Sequence, residues 1–281
     1  MRRTAIVTGS VNGIGRAIAT RLVRDRYSVC INDIPNKAAE IEALVTELNT
    51  IPSSNVRPKV IGVPADVTSG ASVEAMIRET VGKLGPLTLM VANAGIAQTK
   101  PLFSVTEEDV DDVFSVNVKG VFNCYTRAVQ QMIAQGDPET VAGVRVYKIL
   151  GAASIAGLRA SAPLGAYSAS KFAVRGLTQA FAQECAPHKI TVNAYAPGLI
   201  DTLMLDGIDE SLTRMSGQKK GDMKRNYTEQ MVALGRSGTP EDVAGVVGGY
   251  LASPDSDYTT GQTSVVDGDI SDISPLGRDP R

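Results

Sequence analysis

Tyr167 and Lys171 stand four residues apart in the run Tyr167-Ser168-Ala169-Ser170-Lys171, and Ser154 lies thirteen residues before the tyrosine. On a helix, residues four apart share one face, so the phenol and the ammonium converge. A phenol with its ordinary pKa of about 10 is a poor proton-transfer group at neutral pH, and a neighbouring cation favours its ionised form. Such pairs are common on solvated helix surfaces. Two further features single this one out: a glycine-rich turn near the start of the chain, and the serine on the strand that precedes the pair.

The turn is Thr8-Gly9-Ser10-Val11-Asn12-Gly13-Ile14-Gly15, set between an apolar strand at 4–8 and an amphipathic helix at 13–25. Glycines there permit a tight turn, close approach of backbone to a pyrophosphate and close helix-on-strand packing. The helix N-terminus then offers free N–H groups and a positive dipole end to phosphate. Asp33 ends the second strand, where a carboxylate accepts hydrogen bonds from ribose hydroxyls and repels a 2′-phosphate. With no basic residue in the glycine loop, NAD(H) is expected in preference to NADP(H).

Short apolar runs alternate with longer amphipathic stretches throughout, the pattern of a doubly wound α/β fold with a parallel sheet of about seven strands. Strands are expected at 4–8, 28–32, near Val60, at 87–92, 144–150, 190–194 and 264–266. Helices are expected at 13–25, 36–49, 69–84, 106–134 and 166–186, the fourth capped by Thr106. Thr239 caps another whose first residue is Pro240. Residues 51–57 and 136–143 read as loops. Nothing suggests a linker or a repeat, so residues 1–268 form one Rossmann-like domain and 269–281 a polar tail. Residues 198–238, rich in Met, Lys, Asp and Gly and only partly helical in pattern, are either a solvated insertion or a lid over substrate.

The chain has 281 residues, 43% hydrophobic and 21% charged, with a formal net charge of -2. That balance gives no electrostatic case for nucleic acid or an anionic membrane surface. No apolar run approaches the roughly 20 residues that span a bilayer, and the opening residues lead straight into a strand pattern without room for a signal peptide. Cys30, Cys124 and Cys185 sit in apolar periodic segments and read as reduced core residues, which makes a cytoplasmic location the expectation. His188, the only histidine, falls at a helix-to-strand turn, and no side-chain cluster has metal-ligand spacing. Lys219-Lys220 and Lys224-Arg225 keep a lid solvated or recognise an anionic substrate.

Taken in order, Thr8-Gly9-x-x-x-Gly13-x-Gly15, Asp66, Asn93-Ala94-Gly95, Asn117, Ser154, Tyr167-x-x-x-Lys171 and Pro197-Gly198 resemble the classical short-chain dehydrogenases/reductases over essentially the whole chain. The run Tyr167 to Gln179, with Ala233-Leu234-Gly235-Arg236, Thr239 to Ala244 and Leu251 to Gln262, is similar to the acetoin (diacetyl) reductase and 2,3-butanediol dehydrogenase branch. Departures sit mainly around the pocket: Ile155 where some members are polar, Leu205 where an aromatic is common, and Asp267-Gly268-Asp269 in place of Asp-Gly-Gly.

The resemblance implies that Tyr167 is the general acid in reduction, that Lys171 lowers its pKa and binds the nicotinamide ribose, and that Ser154 hydrogen-bonds the substrate oxygen. Asn117 would hold a water that links Lys171 to solvent. Asp66 and Val67 would contact adenine and Asn93 would brace the strands beside the cofactor. Ile200 and Thr202, after Pro197-Gly198, would hold the nicotinamide carboxamide. The long helix 106–134 and the helix 166–186 would pair between subunits in a homotetramer or homodimer. Reduction of a small ketone or diketone, diacetyl or acetoin first, is then the expected activity. The competing readings are a 3-oxoacyl-carrier reductase, a sugar or secondary-alcohol dehydrogenase, and a catalytically silent dinucleotide-binding scaffold.

Overall fold

The computed structural model describes residues 3–51, 58–217 and 219–270. Seven strands form one parallel sheet: β1 (Arg3–Val7), β2 (Tyr27–Ile31), β3 (Val60–Gly62), β4 (Leu87–Ala92), β5 (Tyr147–Ala152), β6 (Ile190–Pro197) and β7 (Thr263–Val266). Their order is β3-β2-β1-β4-β5-β6-β7, with Val7 level with Ile31 on one side and Val91 on the other. The chain winds outward from β1 to β3 and then returns to β4. The strand order therefore reverses between β1 and β4, and a crevice opens at the carboxyl ends of these two strands.

Alternation along β1 sends Ile6 to one face and Val7 to the other, and each face carries its own core. Over Ile6 pack helices α3 (Gly70–Leu84), α5 (Val121–Gln135) and α7 (Gly165–Cys185), with Met76, Tyr125 and Val174 at the centre. Over Val7 pack α1 (Gly13–Arg24), α2 (Ala38–Leu48) and α10 (Pro240–Val246), through Ile18, Leu22, Leu44 and Val243. The strands are apolar on both sides because both faces are covered.

The structure departs from the sequence expectation in several places, β6 running on to Pro197 among them. The long helix is α4 (Glu107–Phe114) joined to α5 by a π-helical stretch, Ser115–Gly120, that contains Asn117. The expected loop 136–143 holds a short helix, α6 (Pro138–Ala142), because Asp137 caps it with Pro138 in the first turn and Gly143 ends it at φ 67°. β5 starts later and ends later than predicted. Residues 198–238 carry two helices, α8 (Leu203–Ser216) and α9 (Asp222–Met231), and the ends of the segment are pinned by a parallel bridge between Ile200 and Gly238. The tail begins later than residue 269: Asp269 and Ile270 are folded back, Ala233 N–H donating to Asp269 O at 3.3 Å, while 271–281 lie outside the described residues, as does most of the loop 51–57.

Candidate active site

The glycine turn follows β1 as expected. Gly9 has φ +61°, in the region that favours glycine, and a Cβ on Gly15 would stand 2.2 Å from Gly9 O and 2.6 Å from Asn93 Nδ2. Asn93 is the clamp on this turn. Its Nδ2 donates to Thr8 O (3.0 Å) and Gly9 O (3.1 Å), while its Oδ1 accepts from the Tyr195 hydroxyl at 2.9 Å. Asn12 stands at the N-cap of α1 without a side-chain cap bond, and no acid occupies the first turn. The positive end of α1 is thus left open toward the cavity, with Gly13 and Ile14 on its rim.

Asp33 sits two residues beyond the end of β2, only 8% exposed. Its Oδ1 accepts from Ile34 N–H at 3.0 Å and its Oδ2 from Val11 N–H at 3.4 Å, which ties the second strand to the glycine turn. Lys37 brings its Nζ to 3.4 Å from Asp33 Oδ1. Lys37 lies outside the glycine loop, where a basic residue for a phosphate is expected, and so is not among the residues the sequence singles out. The i,i+4 spacing from Asp33 is the signal that finds it. Asp66 closes its own turn by accepting from Thr68 N–H, and Val67 is anchored by Asn123 Nδ2 at 2.8 Å.

On the opposite side of the crevice, Ser154 follows β5 and opens a 3-10 turn, its Oγ accepting from Ala156 N–H at 3.1 Å. Tyr167 and Lys171 lie one turn apart on α7, with Lys171 Nζ 5.5 Å from the centre of the Tyr167 ring. Lys171 Nζ donates to Ala152 O at 2.8 Å. Both side chains are buried, and burial governs both titrations. Tyr167 is pushed above its ordinary value of 10.0 by desolvation, with a hydrogen bond to Ser154 pulling the other way. Lys171 is lowered to about 8 by the same cause. The tyrosine–lysine spacing predicts a phenol drawn down by the ammonium; here burial dominates, only the Ser154 hydrogen bond opposes it, and the phenol is held in its proton-bearing form.

Asn117 stands apart from the other predicted residues. It is fully buried behind the cavity, with Oδ1 accepting from Ile96 N–H (2.9 Å) and Nδ2 donating to Ile96 O (2.9 Å) and Ser170 Oγ (3.0 Å). Gly95 leaves room for this arrangement, since a Cβ there would crowd Asn117 Oδ1 at 3.1 Å and Lys171 Nζ at 3.3 Å. The amide therefore ties the chain beyond β4 to α7 directly behind the lysine.

All the other predicted site residues line one cavity of about 650 Å³: Gly9, Asn12, Gly13, Ile14, Gly15, Asp33, Asp66, Val67, Asn93, Ala94, Gly95, Ser154, Tyr167, Lys171, Pro197, Gly198, Ile200 and Thr202. Thr202 is also the N-cap of α8, its Oγ1 accepting from Leu205 N–H at 3.3 Å. Asp267 orders the far wall. Its carboxylate accepts from the backbone N–H groups of Asp269 and Ile270, and Asp269 takes φ +65°, the conformation that explains why glycine is usual at that position. The donor set fits a nicotinamide dinucleotide: an open helix N-terminus and glycine cradle for the pyrophosphate, a carboxylate for a ribose, and a phenol and ammonium where a carbonyl would be reduced.

A family model described as enoyl-(acyl carrier protein) reductase matches residues 9–270. The chain is 43% identical to L-2,3-butanediol dehydrogenase of Corynebacterium glutamicum over 95% of its own length and 98% of the relative's. It is 36% identical to diacetyl reductase [(S)-acetoin forming] of Staphylococcus epidermidis, over 96% and 99% of the two chains. A crystal structure of an actinorhodin polyketide ketoreductase variant with NADPH superposes with a TM-score of 0.86 at 28% identity, covering 96% and 98%. The chain belongs to the short-chain dehydrogenase/reductase family, as an oxidoreductase working between CH–OH and C=O groups with a nicotinamide dinucleotide.

Proposed function

We propose that the protein reduces a small ketone or diketone with NADH, diacetyl and acetoin being the first substrates, and runs the reverse oxidation when alcohol and NAD accumulate. The observation that carries this reading is the convergence of Ser154, Tyr167 and Lys171 on the cavity into which the glycine turn also opens. The names of the two relatives support the substrate. When bound, NADH supplies a hydride to the carbonyl carbon. Tyr167 gives its phenolic proton to the carbonyl oxygen, so the C=O becomes CH–OH and a phenolate remains. Ser154, whose Oγ accepts from Ala156 N–H and whose hydroxyl is hydrogen-bonded to Tyr167, turns its hydrogen to that oxygen as negative charge develops. Lys171, cationic below about pH 8, stabilises the phenolate until a proton returns from solvent. Asn117 holds the wall behind Lys171 and, in this proposal, orders a water on the route to solvent. NADH oxidation at 340 nm on diacetyl, acetoin, a 3-oxoacyl thioester and a ketose tests the assignment, and turnover confined to the thioester or the ketose would refute it.

We assign NADH over NADPH on Asp33, whose buried carboxylate would face a 2′-phosphate. Replacing Asp33 with Ser removes that repulsion and frees Lys37 to pair with the phosphate. The ratio of kcat/KM for NADPH over NADH should rise by at least about 10² in Asp33→Ser, since like-charge juxtaposition costs several kcal/mol. A wild-type preference for NADPH contradicts the assignment outright.

Thr202→Val tests the nicotinamide end. Because Thr202 caps α8, the variant should lose about 1 kcal/mol of stability. Its KM for NADH should rise several-fold beyond what that loss explains, and unchanged NADH kinetics would leave Thr202 as a cap alone. We also place the protein in the cytoplasm as a homotetramer. Phe122 on α5 and Phe172 on α7, 45% and 42% exposed, support the two helices as the joining faces. Light scattering that gives a monomer mass would remove this assembly.

A further inference from the structure

Helix α8 is amphipathic the wrong way round for a helix that packs on a core. Its buried residues are the polar Asp209 and Thr213. The Asp209 carboxylate accepts from Gly221 N–H (2.7 Å) and Lys224 N–H (2.8 Å), which caps α9, and Thr213 Oγ1 donates to Asp209 O at 2.9 Å. Leu205, Ile208 and Leu212, at i, i+3 and i+7, are only half-buried and line the cavity. On α9, which has no fully buried residue, Met223, Tyr227 and Met231 repeat at i, i+4 and i+8 and line the same cavity. Each stripe is about 10–12 Å long at the rise of an α-helix.

An apolar stripe of this length normally faces a core. Here two such stripes face a cavity continuous with Tyr167 and Ser154, and the polar groups between the helices are already engaged. Asp209 serves the α9 backbone, and Lys224 Nζ pairs with Asp201 Oδ1 at 2.8 Å. A four-carbon diketone would cover only the reacting end. Resting on the ketone reduction proposed above, we propose that the preferred substrate carries an apolar arm, on the order of eight carbons, held between α8 and α9 while its carbonyl meets Tyr167. Asp209 fixes α9 on α8, and the paired helices grip hydrocarbon.

The test is a homologous series with NADH: 2,3-butanedione, 2,3-pentanedione, 2,3-hexanedione, 2,3-octanedione and 2,3-undecanedione. A buried methylene is worth roughly fourfold in kcat/KM, so efficiency should climb at least about tenfold from the first compound to the last. Leu212→Asn should cut the efficiency on 2,3-octanedione by a larger factor than that on 2,3-butanedione, narrowing their ratio. A series that is flat or falls with chain length, while butanedione is still reduced, overturns the arm and leaves the ketone reductase standing. A rising series whose slope Leu212→Asn does not change overturns the placement between the helices. Absence of turnover with every diketone overturns both this proposal and the function on which it rests.

Discussion

Tyr167→Phe loses carbonyl reduction by roughly 10²–10⁴ in kcat, the range that separates a positioned general acid from none, while NADH still binds. Phenylalanine fills the same volume on α7, and the Lys171 bond to Ala152 O does not involve the phenol. The glycine turn, clamped by Asn93 and Tyr195, forms the other wall of the cavity and is untouched. What disappears is the proton that burial keeps on the oxygen. The loss therefore falls on kcat, with KM for NADH within about twofold, because an interaction made only in the transition state has been removed. Fluorescence titration with NADH and steady-state kinetics on diacetyl separate the two quantities. Near wild-type turnover in this variant would end the mechanism, and loss of NADH binding would show that the phenol supports the cofactor instead.

Much of this site is legible in the sequence because its contributors are local. Gly9, Gly13 and Gly15 sit within one turn, Tyr167 and Lys171 within one helical turn, and each spacing has a direct geometric meaning. The parallel sheet with helices on both faces follows from alternating strands and helices, and Asp33 is marked by its place near a strand end. What the sequence hides are partners distant along the chain. The Lys171 acceptor is a backbone carbonyl, Ala152 O, which no residue type announces. Asn117 is recognisable by resemblance, yet its engagement with Ile96 and Ser170 exists only once α4, the π-helical stretch and α7 are assembled.

Lys148 makes the same point on the far side of the sheet. It reads as one residue of a strand, but it is buried, with Nζ 2.8 Å from Asp257 Oδ1 and 3.0 Å from Ser256 Oγ, residues more than a hundred positions later. The helices of 198–238 were obscured differently. Helix α8 buries polar residues and turns its apolar ones to a cavity, so a hydrophobic pattern read for a core misses its purpose.

Lys171→Met should destroy activity and stabilise the fold, and the second half of that statement depends on pH. In the folded protein Lys171 titrates at about 8, against 10.5 for an ordinary lysine, because burial penalises its charge. A shift of that size corresponds to about 3 kcal/mol held against the folded state at neutral pH. Methionine of similar length removes the buried charge but leaves Ala152 O without its donor, which returns about 1 kcal/mol. A net gain of about 1–2 kcal/mol, or roughly 2–4 °C in Tm, is expected at pH 7 without added cofactor. As pH rises from about 8 toward 10.5, the folded wild type sheds this proton while its unfolded chain keeps it. The unfolded state then binds more protons, and wild-type stability rises relative to the variant. The Tm gap should therefore close across that interval. Tyr167, shifted in the opposite sense, is present in both proteins, so its own contribution largely cancels in the difference. Thermal unfolding of both proteins at intervals between pH 7 and pH 10 reads the effect. A variant no more stable than wild type at pH 7, or a gap that widens with pH, would mean that the lysine is not charged and buried at a cost. Stabilisation together with lost reduction would show that the fold gives up stability to hold a cation beside Tyr167, where only the chemistry requires it.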